Sequence, residues 1–164
     1  MPGATVFHVR TDVGPWRCVH LARLDAELEA AGSHPVDLPW DCFELDTDGD
    51  HFTLAGGKAF AQALATRVPR GALVVADSTV AHNAIALVAK AVGAVDAVCG
   101  SGFVARAEYG EHFHARAARV RADNVVFVGG WNDVRQCHHD LPRVYAAARA
   151  CVRRTARGSR GATR

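Results

Sequence analysis

Hydrophobic and polar positions along the chain switch between a two-residue and a helical period, and the switching predicts the elements in turn. Thr5-Val6-Phe7-His8-Val9 is a β-rich run and predicts a first strand. From about 16 to 31, Leu21, Leu24, Leu28 and Ala31 share one helical face, and Gly32 supplies the stop. Pro35-Val36-Asp37-Leu38 predicts a short second strand, while the acidic stretch 41–51 fits neither period. Gly57, Ala61, Leu64 and Val68 predict a helix over 54–68, and Pro69-Arg70-Gly71 a turn. The run 72–76 is apolar throughout, as in a strand covered on both faces. Val80, Ala84, Leu87, Val88 and Ala91 predict one helix over 79–91. A fourth strand over 95–99 ends in Gly100-Ser101-Gly102, and a weaker helix covers about 111–120. A fifth strand over 125–128 ends in Gly129-Gly130, and the last helix runs from 141 to about 154.

Strands alternating with helices predict an α/β fold: a three-layer α/β/α sandwich around about five parallel strands. The 164 residues suit a single domain over 1–154, with a basic, flexible tail over 155–164. A content of 49% hydrophobic and 22% charged residues excludes disordered and low-complexity classes. No apolar run is long enough to span a bilayer, and residues 1–10 lack the basic and apolar regions of a signal peptide. Five cysteines, widely spaced and odd in number, read as reduced thiols. Together these features predict a cytoplasmic protein without membrane insertion. Arg153, Arg154, Arg157, Arg160 and Arg164 crowd the C-terminus, but the remaining charges are balanced around a net +2. The tail reads as a solvated end and not as a nucleic-acid contact.

Ligands of open parallel sheets bind beyond the carboxyl ends of the strands, and the chemistry-bearing residues fall there. Ser78 follows the third strand at a strand-to-helix turn, placed either to cap the helix or to act as a nucleophile. Gly100 follows the fourth strand, and Asn132 follows the fifth within Gly130-Trp131-Asn132-Asp133. Backbone amides and a side-chain amide at these positions suit an anion hole, although each segment also reads as a turn or a cap. Asp48-Gly49-Asp50-His51 sets a carboxylate three residues before an imidazole on an irregular loop. One ring nitrogen can then meet the carboxylate while the other remains open to a hydroxyl proton.

Taken together, Ala76-Asp77-Ser78, Gly100, Gly130-Trp131-Asn132-Asp133 and Asp48-Gly49-Asp50-His51 resemble the four motifs of the SGNH hydrolases, the GDSL-type esterase and lipase superfamily. The resemblance implies a flavodoxin-like fold and a serine esterase or deacetylase acting on small O-acyl or carbohydrate esters. Ser78 would be the nucleophile, His51 the base and acid, and Asp48 its orienting carboxylate. Ser78, Gly100 and Asn132 would form the oxyanion hole, with no metal or cofactor. The implied partner is a small-molecule ester, taken by a monomer or weak homodimer. Two departures accompany it. The Asp48–His51 segment precedes the serine block, an order that a circular permutation explains, since function follows geometry and not chain order. Ala76 stands where the family carries a glycine, putting a methyl before Ser78.

Other candidates rank lower. Cys137-His138-His139-Asp140 and the pair His112 and His114 invite a metal reading but lack a second ligand pair at zinc-like spacing. His82 is a rival base without a matching aspartate, and Asp46 and Asp50 are rivals to Asp48. Trp131 suits either a substrate pocket or the core. Two other functions compete: a degenerate member binding a ligand or partner in the same cleft, and a nucleotide-binding domain, which lacks the glycine-rich phosphate loop.

Overall fold

The computed structural model describes residues 3–11, 18–105, 111–119 and 121–158. The β-rich runs become β1 (Thr5–Val9), β2 (His34–Val36), β3 (Leu73–Ala76), β4 (Val95–Ala97) and β5 (Asn124–Val128). They form one sheet in the order β2-β1-β5-β3-β4, and every pairing is parallel. Its centre is apolar on both faces: Leu73 to Ala76 and Val125 to Val128 are all buried. Val74 pairs with Val126 and Val75 with Phe127.

The helices are α1 (Val19–Ala30), α2 (Leu54–Ala65), α3 (Ser78–Ala81), α4 (Ile85–Ala91), α5 (Phe113–Ala117), α6 (Trp131–Gln136) and α7 (Leu141–Arg157). α1 and α5 pack with α7 as one layer, and α2 packs with α4 as the other, giving the three-layer α/β/α arrangement. Counted from β3, the strands take the order 2-1-3-4-5 of flavodoxin-like sheets, whose switch point falls between β3 and β5. No helix among the described residues is long and apolar enough to cross a membrane.

Several predicted boundaries move, each for a local reason. The first helix is described from Val19; the expected start at Trp16 lies outside the described residues. The expected 79–91 helix is two helices, broken at 82–84. Asn83, a poor helix former, turns its amide away to the carbonyl of Phe52 at 2.7 Å. The stretch 41–51 holds a 3-10 turn and then a tight hairpin, closed by a Leu45–Phe52 bridge. α6 was not expected, because six residues are too few for a periodic signal. α7 reaches Arg157, three residues past its expected end, and its first turn is capped by Asp140, which accepts from the Arg143 amide at 3.4 Å.

Candidate active site

Ser78 opens α3 directly after β3, at the carboxyl edge of the sheet. The capping role belongs to Asp77, whose Oδ1 accepts from the Thr79 amide at 2.9 Å. Ser78 is therefore not spent as the cap, and its half-buried hydroxyl makes no hydrogen bond among the described residues. Ala76 pairs regularly with Ala97 and Val128, and its carbonyl accepts from the Val98 amide at 3.0 Å. Since no described non-glycine residue has a positive φ, the backbone before Ser78 accommodates alanine.

The hairpin 45–52 carries Asp48 and His51. The Asp46 amide donates to the His51 carbonyl at 2.7 Å, and the Thr53 amide donates to the Glu44 carbonyl at 3.1 Å. Inside this frame Asp48 Oδ1 accepts from the amides of Asp50 and His51, at 2.9 and 3.1 Å. Its Oδ2 lies 2.6 Å from His51 Nδ1. The His51 ring bond, helped by the Asp50 amide, holds the Asp48 carboxyl down at about 2. An ionised carboxylate only accepts, so Nδ1 carries the ring proton and Nε2 is the open nitrogen of neutral His51. The His51 ring centroid lies 4.0 Å from that of His82, four residues beyond Ser78. His82 Nε2 in turn lies 3.6 Å from the Cys99 sulfur. No hydrogen bond joins Ser78 to His51 among the described residues.

The remaining strand ends lie along the same edge of the sheet. Gly100, three residues past the end of β4, turns with φ +72°. Asn132, in the first turn of α6, donates to Asp77 Oδ2 at 3.3 Å and to the Ser101 carbonyl at 3.2 Å. Its amide thus braces the β3, β4 and β5 ends together. Gly129 needs its φ of +149°, and a Cβ there would stand 2.7 Å from Asp77 Oδ2. Arg135 on α6 lies 3.9 Å from Asp50, so α6 and the hairpin meet at the rim.

Three buried groups that sequence reasoning overlooked support this edge. Burial, with the charge of Asp133 adding to it, pushes the Asp77 carboxyl up to about 6, against the Thr79 amide that pulls it down. Asp133 accepts from the amides of Phe103, Val104 and Ala105 at 2.8, 2.6 and 2.8 Å; burial pushes its carboxyl up all the same. Arg116, fully buried, donates to the Ser101 hydroxyl at 2.7 Å, to the Ala76 carbonyl at 3.1 Å and to both the carbonyl and carboxylate of Asp96. The available signals were an aspartate before a helix and an arginine between Phe113 and Ala117 on an apolar face.

Among the described residues no group of three or more histidine, cysteine, aspartate or glutamate side chains is placed to hold a metal ion. His138 and His139 are exposed on a 3-10 turn, with His138 Nδ1 3.2 Å from the Arg135 carbonyl. Trp131 is half-buried and packs against the core. Comparison with known proteins yields no relative: no family model, curated protein or solved structure matches the chain.

Proposed function

We propose that the protein is a serine ester hydrolase of SGNH type, permuted in chain order, that cleaves small O-acyl esters such as acetylated sugars. The observation that carries the reading is the Asp48–His51 pair at 2.6 Å, whose ring lies 4.0 Å, tilted, from that of His82, the residue that ends the short helix begun by Ser78. The strand order counted from β3 and the Ser78 hydroxyl, which makes no hydrogen bond among the described residues, support it further.

In this mechanism His51 Nε2 takes the proton of Ser78 as Oγ attacks the ester carbonyl, and Asp48 steadies the imidazolium. The amides of Ser78 and Gly100 would donate to the oxyanion, with Asn132 joining them once its side-chain amide leaves Asp77 or the Ser101 carbonyl; losing one such donor costs about two to three powers of ten in rate. His51 then hands its proton to the leaving alcohol, and water releases the acyl group. A hydroxyl-to-imidazole hydrogen bond forms when substrate tightens the site, as is common for apo geometry.

A second reading, a ligand-binding module built on the same cleft, draws on one observation. Both protons of the Asn132 amide are already engaged, by Asp77 and the Ser101 carbonyl. The deciding experiment is fluorophosphonate labelling with p-nitrophenyl acetate turnover, run on the wild type and on Ser78→Ala and His51→Ala. The hydrolase reading expects one label per chain at Ser78, lost in both variants. A folded wild type that neither labels nor turns over ester refutes it and leaves the binding module.

A further inference from the structure

The α2–β3–α3 segment would carry Ser78 whether or not the acid–base hairpin reached it, so something must fix the distance between them. The hairpin is seated from below by Phe52, which is fully buried and packs its ring 5.0 Å from that of Phe60. That anchor fixes the base of the hairpin in the core but leaves its lateral position open. Lateral contacts come from Arg135 on α6, 3.9 Å from Asp50, and from the turn between α3 and α4.

There Asn83 Nδ2 donates to the Phe52 carbonyl at 2.7 Å, one residue past His51. His82 places its ring 4.0 Å from that of His51 and is held on its other side by Cys99 at 3.6 Å, directly before Gly100. The break in the helix that creates this turn is therefore explained by what it reaches. An unbroken helix over 79–91 would continue its own ladder, whereas the turn frees Asn83 to grip a neighbouring backbone. Both side chains belong to the segment that begins at Ser78, so whatever moves the nucleophile moves the seat of the base.

Resting on the hydrolase reading, we propose that Asn83, with His82 beside it, is a positioning residue that sets His51 in register with Ser78. Neither side chain touches the reacting atoms. Asn83 acts through the Phe52 carbonyl, and His82 acts through the face of the His51 ring.

Two readouts on the full chain test this. Amide hydrogen exchange follows the Asp46, His51 and Thr53 amides, all bonded within the hairpin. Asn83→Leu keeps the branched side-chain shape and removes the donor; these amides should then exchange at least about tenfold faster, with those of β3 and β5 unchanged. Fluorophosphonate labelling and p-nitrophenyl acetate kinetics follow the chemistry. There kcat should fall about tenfold or more, short of the about 10²–10⁴ that acid–base catalysis contributes, while KM moves less than about threefold. Asn83→Gln, which keeps an amide donor, should recover part of kcat, and a merely structural role would give no such split. Should Asn83→Leu fail to fold, His82→Ala against His82→Phe gives the same comparison, with the ring alone restoring kcat.

Unchanged hairpin exchange in folded Asn83→Leu overturns the proposal, as does wild-type kcat in both Asn83→Leu and His82→Ala. A wild type inert to fluorophosphonate instead overturns the hydrolase reading and the catalytic meaning of the tether with it. Faster hairpin exchange in Asn83→Leu would then still establish the tether itself.

Discussion

Replacing Asp133 with alanine tests how the carboxyl edge of the sheet is held. Its Oδ1 accepts from the Val104 and Ala105 amides and its Oδ2 from the Phe103 amide, all within 2.6–2.8 Å. Phe103 and Ala105 are buried, so truncation strands two amides away from water, while half-buried Val104 can rehydrate. A stranded buried donor costs about 1–3 kcal/mol, giving about 2–6 kcal/mol for the pair. Removing a carboxylate whose ionised form is disfavoured by burial returns part of that. The expected net loss is about 3–4 kcal/mol, or about 6–16 °C in Tm for a domain of this size. Asp133→Asn keeps the acceptor for one side and turns an amide group against the other, so it should fall between wild type and alanine. Gly102→Ala reports on the same contact, since a Cβ there would clash with the Asp133 carboxylate. Urea and thermal unfolding followed by circular dichroism measure all three. An Asp133→Ala protein within about 1 kcal/mol of wild type, at unchanged m-value, would refute the account.

Two further outcomes follow from the neighbouring geometry. Gly129→Ala forces a side chain into φ +149° and within 2.7 Å of Asp77 Oδ2, so it should cost about 1–3 kcal/mol and slow labelling of Ser78; labelling at the wild-type rate would separate Asp77 from the serine. Asp77 holds its proton up to about 6 when folded, against an ordinary value of 3.8, so folding takes up a proton between those values. Its contribution to stability is present below about pH 4 and is lost as pH rises through about 6, by about 3 kcal/mol for about two units. Unfolding free energies of wild type and Asp77→Asn from pH 4 to 7.5 should therefore diverge with that sign, and parallel curves would show that Asp77 is ionised throughout.

The parts of this fold that the sequence displayed were those governed by a period. β1 and β5 lie within one residue of expectation because their runs are apolar and β-branched with abrupt polar ends. The pair Asp48 and His51 was legible because a local spacing of three residues already brings carboxylate and ring together. The break at 82–84 was not legible: Val80, Ala84 and Val88 keep helical spacing across it, and only the distant Phe52 carbonyl explains the turn of Asn83. The same holds for buried Arg116, whose partners come from Ala76, Asp96 and Ser101. Contacts between positions 15–40 residues apart leave no periodic trace in a single chain.

Asp48, Asp77 and Asp133 lie at this edge, and their surroundings divide the work among them. Asp77 adjoins Ser78 and would be the nearest carboxylate by sequence, yet it is buried, spends Oδ1 on the Thr79 amide and receives Asn132 on Oδ2. A group so placed is costly to keep charged, and its oxygens are already committed to shaping the β3 exit. Asp133 is more deeply committed, to three amides of the 102–105 loop. Asp48 alone is half exposed and held at about 2, so it stays ionised across the whole range in which an imidazole can work as a base. A base partner must carry its charge through the reaction without being drawn into the frame of the fold. Of the three, only Asp48 meets that requirement, and so the hairpin, not the residue beside the serine, would supply the carboxylate.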